Sequence, residues 1–146
     1  MKQNVLFLCT GNSCRSQMAE GFLRKYASER FDIYSAGLDP RMVNPLAVQV
    51  MGEIGIDISG QTSKGVETVL GKQSFKHAIF VCHQAEENCP SIYPFALEKL
   101  SWPFEDPAAF EGNEDKTVAK FRQVRDQIDR KIQEWLKSLA ESDEKA

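Results

Sequence analysis

The run Cys9-Thr10-Gly11-Asn12-Ser13-Cys14-Arg15-Ser16 joins a thiol to a guanidinium through a short loop that contains a glycine. A thiolate is a nucleophile, and a guanidinium grips two oxygens of a tetrahedral anion at once. The apolar run Val5-Leu6-Phe7-Leu8 leads in like a fully buried strand, and Gln17 to Tyr26 leads away with good helix formers. The loop is therefore expected between a strand end and a helix N-terminus. Unpaired backbone N–H groups and the helix dipole there make a cradle for an oxyanion. Thr10, Gly11, Asn12, Ser13, Cys14, Arg15 and Ser16 are expected to hold the anion, with Cys9 beneath it as the nucleophile. The same positive field favours the thiolate. The plain alternative makes Cys9 a small buried hydrophobe at a strand end.

Apolar strand-like runs alternate with helical patterns along the rest of the chain, which predicts a parallel sheet covered on both faces. After the strand from Val5 to Cys9 and the helix through Tyr26, Phe31 to Ala36 reads as a strand ended by Gly37. Asn44 to Ile54 reads as a helix with Pro45 in its first turn, and Ser63 to Leu70 as a short helix weakened by glycines. His77 to Cys82 and Glu98 to Trp102 are the third and fourth strands, and Pro103 stops the last. From Thr117 a long helix is expected to about Leu139, with Phe121, Val124, Ile128, Ile132, Trp135 and Leu139 as a core stripe. Glu141 to Ala146 reads as a charged, frayed tail. Right-handed crossovers fit an open sheet whose ligands bind beyond the carboxyl ends of the strands. Cys9, Cys82 and the stretch near Asp106 fall at that edge.

With 146 residues, 42% of them hydrophobic, the chain suits one domain spanning residues 1–146. A net charge of −3 gives no reason to expect nucleic acid or an anionic membrane as partner, so the positive charge at the loop must be local. No apolar run reaches spanning length and Met1 to Asn4 leads straight into a strand, so the expectation is a cytoplasmic monomer without a signal segment. Four cysteines in that setting read as reduced and reactive rather than as a disulfide framework.

The eight-residue loop resembles the C-x5-R-[ST] phosphate loop of low-molecular-weight protein tyrosine phosphatases and of the arsenate reductases built on the same scaffold. Cys14 fits, and the likeness extends through Ser35-Ala36-Gly37, Asp57-Ile58-Ser59, Thr62-Ser63, Cys82, Cys89 and Asp106-Pro107 to the stretch from Phe121 to Asp126. It covers nearly the whole chain. With the crossover rule, it implies a flavodoxin-like α/β fold, an open parallel four-stranded sheet of order 2-1-3-4 with helices on both faces.

Cys82 and Cys89 add to the chemistry. A phosphatase needs one thiolate, an oxyanion cradle and a general acid, and these two thiols would be superfluous to it. Seven helical steps would hold their α-carbons about 10.5 Å apart, beyond the roughly 7 Å limit of a disulfide, so bonding them requires the segment to loop. Read alone, they are an ordinary strand end and a loop thiol. Beside Cys9, they resemble the redox segment of thioredoxin-coupled arsenate reductases. A metal site from His77, Cys82, His83 and Cys89 fits no common zinc spacing, and no cofactor is expected.

In this family an aspartate before proline is the general acid, and Asp106 holds the matching place. Tyrosine phosphatases of the type carry aromatic residues after that proline; here Ala108 and Ala109 follow, with Phe110 beyond. The resemblance thus implies reduction of arsenate to arsenite through a relay of Cys9, Cys82 and Cys89, with Arg15 and Asp106 in support. Thioredoxin or a glutaredoxin-type donor would be the reductant, and phosphate or sulfate competing oxyanions. Some relatives hold potassium at positions corresponding to Asn12, Glu20 and Ser35, but Lys64 stands where they add an aspartate, so no cation is expected. A phosphatase with incidental thiols and a noncatalytic oxyanion-binding protein are the competing readings.

Overall fold

The computed structural model describes residues 2–69, 74–82 and 96–145. Cys89, His83 and Leu70 lie outside the described residues. The chain runs β1 (Gln3–Cys9), α1 (Arg15–Ala27), β2 (Phe31–Gly37), α2 (Pro45–Gly52), β3 (Phe75–Phe80), β4 (Ala96–Ser101) and α3 (Glu114–Lys145), with short 3₁₀ turns at Val66–Thr68 and Pro107–Ala109.

The strands form one parallel sheet in the order β2-β1-β3-β4, as expected for a flavodoxin-like α/β fold. Successive strand residues point to opposite faces, yet Val5, Leu6, Phe7 and Leu8 are all fully buried. Both faces of β1 must therefore be covered, which is why the strand is a continuous apolar run. On one face, Trp135 of α3 stacks on Phe31 and meets His77 and Trp102 edge-on, with ring centroids 5.0 to 5.7 Å away. The helical stripe Phe121, Val124, Ile128, Ile132 and Trp135 is buried, so it is core rather than a docking surface.

Strand and helix ends shift by up to two residues, with β3 closing at Phe80 rather than Cys82 and β4 running Ala96–Ser101, and three stretches differ further, each for a local reason. Asn113 caps α3, its Oδ1 accepting from Lys116 N at 2.9 Å, so the helix starts at Glu114 rather than Thr117. The stretch expected as a frayed tail continues that helix to Lys145, since no glycine or proline follows Leu139 to break it. Instead of a helix from Ser63, only the turn Val66–Thr68 forms. The Ser63 hydroxyl donates to Gly11 O, Lys64 N donates to Asn12 Oδ1, and Lys64 O accepts from Gly37 N. Backbone committed to the loop after β1 cannot also make helical bonds.

Register puts the chemistry at one edge. Cys9 ends β1 opposite Gly37, and Leu8 lies opposite Phe80, which lies opposite Ser101. Cys82 follows two residues beyond β3, and Val81 N still donates to Leu8 O at 2.9 Å. Chain order reverses about β1, the switch point where such sheets bind ligands.

Candidate active site

The loop after β1 is held from outside by its carbonyls. Leu38 N, Asp39 N, Arg41 N and Asn44 N donate to the carbonyls of Cys9, Thr10, Gly11 and Ser13 at 2.8 to 3.3 Å, and Gln17 Nε2 donates to Asn12 O at 3.0 Å. In a trans peptide the C=O and the next N–H point in opposite directions. Five carbonyls turned outward therefore turn the N–H groups of Thr10 to Cys14 inward, and Asn12 N does reach Cys9 Sγ at 3.1 Å. This inward ring of donors is an anion nest.

Two residues make that curl possible. Asn12 takes φ 48°, the left-handed region that asparagine tolerates better than most side chains. Its buried amide is fully used, Nδ2 donating to Ser16 Oγ at 2.8 Å and Oδ1 accepting from Lys64 N at 2.8 Å. Gly37 lies so close that a Cβ there would stand 2.7 Å from Thr10 O and 2.8 Å from Asn12 N. Only glycine lets the two strand ends meet.

Cys9 is 2% exposed. Its sulfur receives the Asn12 N–H and lies 2.9 Å from Ser16 Oγ. Against a thiolate, the Ser16 hydroxyl is the donor of that pair. Cys14, at the N-cap of α1, differs: burial pushes its thiol up to about 12, so it stays protonated at neutral pH. One nucleophile is thereby selected from two thiols on one loop.

Cys82 is also free and buried, and its Sγ lies 3.5 Å from Thr10 Oγ1. Thr10 is the residue after Cys9, so the second thiol stands directly beside the loop. Across the cavity, Arg15 Nη1 donates to Phe104 O at 3.0 Å and Nη2 lies 3.7 Å from Asp106 Oδ2. Asp106 caps the turn after it, Oδ1 accepting from Ala108 N at 3.0 Å, which leaves Oδ2 directed toward the guanidinium.

Cys9, Thr10, Gly11, Ser13, Cys14, Arg15, Asp106 and Ala108 line one cavity of about 200 Å³, together with Arg41. Asn12 and Ser16 lie behind the loop as fully buried braces rather than in the lining. No aromatic ring lines the cavity among the described residues. Phe110 instead lies under Lys120, whose Nζ is 5.4 Å from its ring centroid. Arg41 was not legible as a site residue from motif spacing. Its one signal was position, a cation in the connection that leaves the β2 end next to Cys9.

Glu20 and Ser35 meet as expected from their place beside the loop, Ser35 Oγ donating to Glu20 Oε1 at 2.6 Å. Arg24 Nε adds a charged bond to Glu20 Oε2 at 3.0 Å. Burial lowers the Lys64 pKa while the Glu20 carboxylate raises it, so the ammonium lies within the field of that carboxylate. His77 is buried in β3, with Nδ1 2.9 Å from Glu98 Oε1.

A parallel α/β sheet with a thiol at the floor of an anion nest, an arginine on its wall and an aspartate at its mouth defines the class of cysteine-dependent oxyanion enzymes. The model of the low molecular weight phosphotyrosine protein phosphatase family matches residues 4–145, and the chain belongs to that family. It is 47% identical over 131 residues to the arsenate reductase of Halalkalibacterium halodurans, covering 90% of this chain and 93% of the relative. Among solved structures it resembles an arsenate reductase in the phosphate-binding state, with TM-score 0.79, 33% identity, and coverage of 94% of this chain and 98% of that one. A thioredoxin-dependent arsenate reductase of Corynebacterium glutamicum is also similar, with TM-score 0.72 and 26% identity over 97% of this chain and 63% of the other.

Proposed function

We propose that this protein is an arsenate reductase in which Cys9, Cys82 and Cys89 pass oxidising equivalents outward to an external dithiol. The observation that carries the reading is a free thiol beside the loop, Cys82 Sγ at 3.5 Å from the hydroxyl of Thr10, a residue that lines the cavity. Hydrolysis has no use for it.

Arsenate binds against the inward N–H groups from Thr10 to Cys14, the N–H of Arg15 and the Arg15 guanidinium. The Cys9 thiolate attacks arsenic, and Asp106 gives a proton to the departing oxygen, which leaves as water. A Cys9-arsenic(V) adduct results. The Cys82 thiolate then attacks the Cys9 sulfur, and the S–As bonding pair passes to arsenic. Arsenite leaves as As(III), and the two electrons it gained are balanced by a Cys9–Cys82 disulfide. Cys89 next attacks Cys82, expelling Cys9 as a thiolate and leaving a Cys82–Cys89 disulfide. Thioredoxin, or a glutaredoxin-type donor, reduces that bond. The Cys14 thiol, held protonated, takes no part in the transfer, while its N–H belongs to the nest.

The whole chain acts as one domain and as a monomer in this reading. The reading places the protein in the cytoplasm, since the thiols must return to the reduced state each cycle. Phosphate and sulfate share the shape and charge of arsenate and compete for the cavity. The second reading, a tyrosine phosphatase, is disfavoured because no aromatic ring lines the cavity among the described residues.

Arsenate-dependent NADPH oxidation with thioredoxin and its reductase, run beside an aryl-phosphate assay, tests the proposal. Arsenate turnover that is lost in Cys82→Ser supports it. Brisk aryl-phosphate hydrolysis that survives in Cys82→Ser, with no arsenate turnover, overturns it.

A further inference from the structure

The connection between β2 and α2 carries a cation to the mouth of the cavity. Arg41 is anchored through its backbone, N donating to Gly11 O at 2.8 Å. Its side-chain stem passes over Gly11, Cγ and Cδ both 3.8 Å from where a Cβ on that glycine would stand. Arg41 lines the same cavity as Cys9 and Arg15. Its Nη2 pairs with Asp39 Oδ2 at 3.1 Å, and the two side chains are 73% and 67% exposed.

The charge at the site is incomplete for a dianion. Arg15 spends Nη1 on Phe104 O and shares its charge with Asp106. Exposed pairs such as Arg41 with Asp39 contribute little net stability, because water and ions screen them. A doubly charged oxyanion in a partly enclosed cavity is the stronger partner, and it offers a guanidinium two oxygens. With the backbone anchored, only side-chain rotamers need change, which is fast compared with turnover.

We propose that Arg41 is a specificity-determining residue of this site, leaving Asp39 to close over the outward oxygens of a bound inorganic oxyanion. The inference rests on the oxyanion reading of the cavity and adds its selectivity. A free tetrahedral anion presents charged oxygens to the mouth, whereas a phosphate ester must pass its substituent through the space the guanidinium takes. Arg41 thus favours inorganic anions over esters.

The test labels Cys9 with iodoacetate, an anion, or iodoacetamide, which is neutral, and locates the label by peptide mapping. Inorganic phosphate is the protecting ligand. In Arg41→Gln the phosphate concentration for half protection should rise about three- to tenfold, the range of a screened charge-assisted bond. Iodoacetate labelling should slow while iodoacetamide labelling stays near its original rate. Arg41→Lys should restore part of the effect, and Asp39→Asn should shift phosphate protection in the opposite direction. A structural role would alter both reagents alike and would not give opposite signs at the two partners. Unchanged phosphate protection in Arg41→Gln, or equal slowing with both reagents, overturns the Arg41 proposal while leaving the oxyanion reading intact. Failure of phosphate to protect Cys9 in the unaltered protein overturns the oxyanion reading itself and Arg41's role with it.

Discussion

Ser16 Oγ stands 2.9 Å from Cys9 Sγ and accepts a hydrogen bond from Asn12 Nδ2 at 2.8 Å, so the hydroxyl donates to the sulfur whenever Cys9 is a thiolate. A hydrogen bond to a charged acceptor is worth about 1.5 to 3 kcal/mol. Ser16→Ala should therefore slow iodoacetamide labelling of Cys9 at neutral pH by about tenfold or more. Its thermal stability should fall only modestly, since Asn12 loses one partner of several. Unchanged labelling would show that the loop amides suffice without the hydroxyl.

Asp106 can be tested without dismantling its turn. Asp106→Asn retains an oxygen to accept from Ala108 N, but it has no proton of the right acidity to give. Turnover with arsenate should drop about 10²- to 10⁴-fold, the usual worth of a general acid. KM should change far less, because the cradle is intact. A loss confined to KM would make Asp106 a binding residue instead.

Lys64 places an ammonium in the field of Glu20, which also receives Ser35 and Arg24. That carboxylate is already neutralised by protein groups. Exchanging sodium for potassium salts at constant ionic strength should leave turnover unchanged. Marked potassium activation would mean that a cation enters beside Glu20 after all.

His77 gives the protein a pH-sensitive core. It is buried against Trp135 and Phe31, with Nδ1 on Glu98 and no partner at Nε2 among the described residues. Burial lowers its pKa, and the Glu98 carboxylate offsets this only in part. The unfolded chain then takes up a proton near pH 6.5 that the folded chain still refuses. Stability is full above that pH and is lost as pH falls toward the folded value. Urea unfolding should show a decline from about pH 7 to below 6, which His77→Gln flattens. Glu53 and Asp57, with lowered pKa values, add their losses only at more acidic pH, below the unfolded carboxylate range.

Much of this site was readable before the fold was known, because its chemistry is local in sequence. Cys9 through Ser16 form one loop, and the alternation of strands and helices, together with the family resemblance, places Cys82 and Asp106 at the same sheet edge. What could not be read depends on contacts between distant segments. Ser63 and Lys64 bond to Gly11 and Asn12, and this replaced a plausible helix with extended backbone. Gly37 reads as a strand terminator, yet its reason is a 2.7 Å approach of its would-be Cβ to Thr10 O. Arg41 carries no motif, and only the hydrogen bonds from its connection to the loop carbonyls reveal that it reaches the cavity. The charge of the last residues suggests a frayed end for α3, but charged residues sustain a helix as well as a tail when no breaker intervenes.

The relay is tested most directly by trapping it midway. Cys89→Ser, reduced and then given one equivalent of arsenate without a reductant, should release close to one arsenite and stop. Mass spectrometry of the digested protein should then show the peptide bearing Cys9 linked to the peptide bearing Cys82. Arsenite release without that linkage, or sustained turnover of Cys89→Ser with thioredoxin, would contradict a sequential three-thiol transfer.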